Sequence, residues 1–138
     1  MNQQSAEITT SQMLSRIQDP RHVLIDIRPV AAYNGWALKD EPRGGHIQGA
    51  KTFPFYWSGY ENWQKILEDK GVSTDKPVTL YGYEPDEMEQ MKERLTEKGY
   101  PDVSIYPHFT DEWAPEESLP MDRLERFHQL VYPQWVRQ

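Results

Sequence analysis

Apolar positions along the chain switch repeatedly between helical and strand spacing, and each switch is punctuated by Gly, Pro or Asp. Thr9 and Gln12 stand three residues apart, the spacing of a capping box, and Met13, Leu14 and Ile17 follow at helical intervals, predicting a first helix over 10–18. Asp19-Pro20 ends it. Val23-Leu24-Ile25-Asp26-Ile27 is then a short, mostly apolar run of the kind buried on both faces, which implies a parallel sheet. Pro29 opens a brief helix through Tyr33, a Gly-rich charged excursion fills 35–49, and Lys51-Thr52-Phe53 supplies a second strand. Trp63, Ile66 and Leu67 share one helical face ending at Gly71, a residue suited to a left-handed cap. Val78-Thr79-Leu80-Tyr81 is a third strand, Met88, Met91 and Leu95 mark a helix from Pro85 to Lys98 capped by Gly99, and Val103 to Tyr106 is a fourth strand. This alternation predicts an α/β domain: a small, mostly parallel sheet flanked by helices on both faces. Its functional crevice belongs at the carboxyl ends of the strands.

Past the fourth strand the pattern breaks down. Three prolines and four carboxylates between Pro107 and Pro120 predict a segment that wanders over the surface. Leu124, Phe127, Leu130 and Val131 then give a last helix an apolar stripe, and Tyr132 and Trp135 follow near the end of the sequence. The expected organisation is a domain over 1–120 and a C-terminal helix and tail over 121–138 that links to something further. Tyr132 and Trp135 are expected to pack onto that neighbour rather than onto this domain.

Composition narrows the function classes. At 138 residues the chain suits one core, and at this size roughly 70% of the unfolded surface is buried on folding. An apolar share of 37% argues against whole-chain disorder. A net charge of -7, with Lys and Arg scattered singly, argues against a nucleic-acid partner. No apolar run approaches the ~20 residues of a membrane helix, and Met1-Asn2-Gln3-Gln4-Ser5 has neither the basic nor the apolar region of a signal peptide. Neither a membrane nor a cofactor is expected. There is no cysteine. Any thiolate chemistry is therefore beyond this chain on its own.

The most specific pattern is Val23-Leu24-Ile25-Asp26-Ile27-Arg28-Pro29, then Ala32-Tyr33, then Gly45-His46-Ile47-Gln48-Gly49-Ala50. It resembles the rhodanese family, whose first half reads as an apolar strand ending in Asp-x-Arg, a Glu-Tyr-like pair and a Gly-His-Ile-x-Gly-Ala turn. The later strand ending at Tyr81, the helix, Gly99-Tyr100 and the strand from Val103 fit the same order, so the resemblance covers 9 to about 106. Ala32 to Trp36 and Phe127 to Trp135 further resemble the first domain, and the link into the second, of multi-domain bacterial thiosulfate sulfurtransferases of an exported type. The resemblance implies a neighbouring rhodanese domain of the same polypeptide, or a protein partner, and a periplasmic address if the exported type holds. Otherwise the address is cytoplasmic.

In an active member of that family the third strand delivers a cysteine into a loop whose backbone N–H groups stabilise the thiolate and then its persulfide. The resemblance places Gly82 at that position. The following Tyr83-Glu84-Pro85-Asp86-Glu87 offers three carboxylates where an anion-binding loop wants donors, and Pro85 removes one N–H outright. Glu84, Asp86 and Glu87 at a helix start satisfy the helix dipole themselves. The loop therefore reads as vestigial, and a cysteine-phosphatase reading is weakened with it.

Other candidates have plainer explanations. Gly44 to Thr52 approximates a phosphate-binding loop, but Ala50 precedes the lysine and the segment enters a strand, so coincidence is favoured. His46, with Gly45 and Gly49, is expected to be structural rather than a general base. Asp26 is expected to cap the helical turn after it and Arg28 to pair with a nearby carboxylate. An acid–base enzyme using Asp26, Glu84 or Asp86 is the weakest reading. The four histidines have no paired spacing, so no metal is expected, and no Ser sits in a nucleophile elbow. The aromatic cluster of Phe53, Phe55, Tyr56, Trp57, Tyr60 and Trp63 is either core filling or a docking patch, with Phe55 and Trp57 the candidate docking residues.

Overall fold

The structure is a computed structural model that describes residues 7–122, so the predicted helix after Leu124, with Tyr132 and Trp135, lies outside the described residues. Helix α1 spans Thr10–Arg16 and starts where the sequence places it: the Thr9 hydroxyl accepts from Gln12 N at 3.1 Å, and Gln12 Oε1 accepts from Thr9 N at 2.8 Å. Thr9→Ala should cost about 1 kcal/mol, the usual worth of an N-cap, read as a lowered urea midpoint with an unchanged slope.

Strand β1 (Val23–Asp26) leads to α2 (Val30–Asn34), then β2 (His46–Ile47) and β3 (Lys51–Thr52). A 3₁₀ turn over Phe55–Gly59 and α3 (Trp63–Asp69) follow, then β4 (Val78–Tyr81), α4 (Pro85–Glu97) and β5 (Val103–Ile105). The main sheet has the order β3-β1-β4-β5 with every pair parallel. β1 and β4 are buried at every position, as mostly apolar runs require, with Asp26 and Thr79 the buried polar exceptions. Gly71 (φ +90°) and Gly99 (φ +98°) follow α3 and α4 in the left-handed region expected of C-terminal caps.

Strand periodicity divides the core in two. Val23, Ile25 and Ile27, with Val78 and Leu80, pack against Trp63 and Leu67 of α3 and Met88, Met91 and Leu95 of α4. Leu24 and Tyr81 face the other way, against Met13 of α1 and Phe109 and Trp113. Helices thus cover both faces.

The second face corrects one expectation. The segment from Pro107 to Pro120 does not wander over the surface: Phe109, Trp113 and Ala114 are fully buried, on a π-helical turn over Phe109–Trp113. A Pro-rich stretch can be buried only if its carbonyls find donors. Arg43 provides them, donating to Trp113 O and Glu116 O at 2.7 Å and to Ala114 O and Leu119 O at 2.8 Å. The chain then forms β6 (Met121–Asp122), antiparallel to β2, a two-stranded pairing too short to leave a sequence signature.

Candidate functional site

The crevice lies at the carboxyl ends of β1 and β4, as a parallel sheet dictates. Its floor is a buried charge network. Asp26 and Arg28, both essentially without solvent exposure, meet side by side: Arg28 Nη2 is 2.6 Å and Nε 3.1 Å from Asp26 Oδ2, and Arg28 Nε is 3.0 Å from Oδ1. Arg28 Nη1 lies 3.3 Å from Glu41, and Nη2 donates to Gly45 O at 2.5 Å. Its guanidinium lies 4.3 Å from the ring centre of Phe109, 5.2 Å from that of Tyr83 and 5.4 Å from that of Tyr81. Burial works against its charge, but Tyr81, Asp26 and Tyr83 outweigh it and hold the Arg28 pKa above the ordinary value.

Arg28 pairs with carboxylates as expected, but Asp26 does not cap α2, whose N-cap Pro29 receives no side-chain bond. Asp26 instead folds back on its own strand end, accepting from Arg28 N at 2.9 Å in an Asx turn. It also accepts from the Tyr81 hydroxyl at 2.8 Å, which in turn accepts from Ile47 N at 2.9 Å. Burial and then Asp26 push the Tyr81 phenol well above its usual pKa, so it stays a neutral donor. This relay ties both central strands to the Gly45–Gly49 turn. His46 is buried, its Nδ1 2.8 Å from Tyr33 O and its ring stacked on Tyr33 at 3.7 Å. That geometry suits a structural histidine.

Above the floor, the wall after β4 carries no cysteine. Gly82 is buried, and a Cβ there would lie 2.8 Å from Ile27 Cγ1. Glu84 occupies the N-cap position of α4 without capping it, Pro85 is the first helical residue, and Asp86 and Glu87 fill the first turn. Glu84 pairs with Lys39 at 3.4 Å. Tyr83 donates to Glu41, and burial and that bond push its pKa to about 12. Glu87 is pushed up by burial and by Glu84. Between these groups and the aromatic turn after β3 lies an open cleft of about 220 Å³.

The predicted residues do not all converge. Arg28, Phe55, Tyr83, Glu84 and Glu87 line the cleft, whereas Gly82 is buried behind it, Pro85 and Asp86 are exposed outside its lining, and Asp26 is sealed beneath Arg28. The three carboxylates of the acid–base reading therefore do not share a closed site. The aromatic cluster divides as well. Phe53 and Trp63 are core, Phe55 and Trp57 are half-buried against it, and Tyr56 (60% exposed) and Tyr60 (49% exposed) face solvent. Sequence reasoning missed Lys39, Glu41 and Arg43, although charges at alternate positions in a Gly- and Pro-rich excursion were a usable signal. It also missed that His108 sits with Asp111 and Glu112, 3.5 and 3.7 Å away. Among the described residues this surface trio has ligand atoms close enough to share a cation.

A family model described as the rhodanese-like domain matches residues 9–116. The chain belongs to the rhodanese-like family. The domain is 31% identical over 135 residues to the thiosulfate sulfurtransferase YnjE of Escherichia coli (strain K12), covering 96% of this chain and 30% of that protein. It is 30% identical over 127 residues to the mitochondrial thiosulfate/3-mercaptopyruvate sulfurtransferase 1 of Arabidopsis thaliana, covering 85% of this chain and 34% of that protein. Among solved structures, wild-type EanB superposes with a TM-score of 0.87 at 40% identity, covering 96% of this chain and 31% of that one. The anaerobic ergothioneine biosynthesis enzyme from Chlorobium limicola, in complex with trimethyl histidine, gives 0.86 at 40%, covering 95% and 31%. The rhodanese-like domain thus spans about a third of the length of each of these relatives. Among its described residues, no helix is long and apolar enough to cross a membrane.

Proposed function

We propose that this rhodanese-like domain is non-catalytic and serves as the N-terminal structural or regulatory module of a larger sulfurtransferase whose later domain supplies the cysteine. The observation that carries this reading is Gly82. It follows β4 at the position where the resemblance puts the family's nucleophile, in a chain without any cysteine, and a side chain there would have to displace Ile27. The acidic first turn of α4 supports it, because Asp86 and Glu87 occupy the potential that an anionic sulfur donor would use. The lengths of the relatives agree, since each is about three times as long as the matched region. EanB has been captured as a cysteine persulfide with ergothioneine, so sulfur carried on a cysteine is chemistry found in a relative of this length.

The purified chain should give no thiocyanate from thiosulfate and cyanide. Turnover above a buffer blank that co-purifies with the folded chain would overturn the proposal. A stand-alone module that docks a partner protein is the second reading, favoured by Tyr56, exposed beside the cleft. The reading frame past Gln138 separates the two: continuation into a second Asp-x-Arg and Gly-His-Ile-x-Gly-Ala pattern with a cysteine loop supports the first, and a stop supports the second.

A further inference from the structure

Charge around the cleft has a definite sign. Arg28 faces both Asp26 and Glu41, leaving one negative charge in surplus, Lys39 and Glu84 cancel, and Glu87 makes no ion pair among the described residues. The aromatic faces nearby already attract cations. Lys39 Nζ lies 5.9 Å from the ring centre of Tyr83 while paired with Glu84, and Arg94 places its guanidinium 4.7 Å from that of Phe55. Carboxylates beside ring faces form the combination that recognises ammonium and guanidinium groups, because ring quadrupole and carboxylate charge act in the same direction. Size narrows the ligand further. At about 220 Å³ the cleft falls below the roughly 300–1,000 Å³ of pockets for whole small molecules, so it suits one head group or side-chain end.

We propose that the crevice is a seat for a single organic cation, an alkylammonium or guanidinium head group, held by Glu84 and Glu87 and stacked on Tyr56, with Lys39 as the chain's own competing occupant. Lys39 is half-exposed on a long flexible stem, so it can swing out as the incoming cation takes over Glu84. Burial and then Glu84 disfavour the Glu87 charge, Lys39 offsets this only in part, and a bound cation in its place relieves the same cost.

The test is a titration of the whole chain with tetramethylammonium chloride, with a short alanine-flanked lysine peptide, and with the neutral isostere tert-butanol, at constant ionic strength and read by backbone amide shifts. Both cations should shift Tyr56, Tyr83 and Glu87 at millimolar concentrations while the alcohol leaves them in place. Glu84→Gln with Glu87→Gln should weaken binding about tenfold, Tyr56→Ala about fivefold, and Lys39→Ala should tighten it about fivefold. Equal affinity for both cations assigns recognition to a free head group, and a peptide preference of about tenfold assigns the cation to a polypeptide. Equal response to the alcohol, shifts confined to other surfaces, or weaker binding by Lys39→Ala would overturn the proposal. The titration reads association and the thiocyanate assay reads turnover, so each result stands whatever the other shows.

Discussion

Replacing Arg28 with Ala should cost about 3–5 kcal/mol of folding stability, the range for removing one partner of a buried ion pair. That is a large share of the 5–15 kcal/mol that holds a domain folded. The cost arises less from the lost attraction than from what remains. Asp26 and Glu41 would be buried without a counter-ion, and Gly45 O would lose its donor. The contact with Phe109 would go too, loosening the π-helical turn against the sheet. Urea unfolding measures the loss. If Arg28→Ala proves insoluble, the triple variant Asp26→Asn, Arg28→Met, Glu41→Gln keeps the argument testable: removing all three charges together should recover more than half of the deficit, since an apolar replacement of a buried ion cluster is often close to neutral. A loss below about 1 kcal/mol, the ceiling for surface pairs, would show that the network is not buried as described.

The contrast between Arg28 and Arg43 shows which parts of this protein could be read from sequence. The parallel sheet and its helices were legible because each leaves a local pattern: short, mostly apolar runs for β1 and β4, and 3.6-residue spacing for Met88, Met91 and Leu95. The glycines after α3 and α4 were legible because only their backbone freedom explains them there. Arg28 was half legible, since a charge at a strand's carboxyl end signals a site, but its second partner Glu41 lies in a loop with no period. Arg43 left no local signal at all. Its partners are four carbonyls about 70 residues along the chain, and every residue presents a carbonyl. That long-range clamp is why a segment rich in Pro and Glu, which sequence rules assign to the surface, becomes core. The candidate site divides likewise. The loop from Gly82 to Glu87 is contiguous and could be read, whereas Lys39 and Tyr56, which complete the cleft, come from segments that only the fold brings together.

Gly82→Cys is expected to fail as a restoration of sulfur transfer, and to fail for two separable reasons. The first is steric. A Cβ at Gly82 would stand 2.8 Å from Ile27 Cγ1 and 3.3 Å from its Cδ1, and Cγ1 moves only by turning χ1 of a buried β-branched side chain, so the variant should lose about 1–3 kcal/mol to overpacking. The second is electrostatic. Glu84, Asp86 and Glu87 beside the new thiol disfavour its thiolate, so it should titrate above the ~8.5 of a free cysteine, where the catalytic thiols of other proteins titrate below it. Adding Ile27→Ala removes Cγ1, so it should cost clearly less stability in Gly82→Cys than in the parent domain, where it leaves a cavity, and it should not restore activity, because the charge remains. Adding Glu84→Gln, Asp86→Asn and Glu87→Gln should then speed thiol alkylation by iodoacetamide at neutral pH. The order of these gains separates the causes, with stability following the Ile27 change and reactivity following the carboxylates. Thiocyanate formation by Gly82→Cys alone, or a thiol pKa below that of free cysteine in the single variant, would contradict this account. It would mean that neither the contact with Ile27 nor the acidic turn bars thiol chemistry at this position.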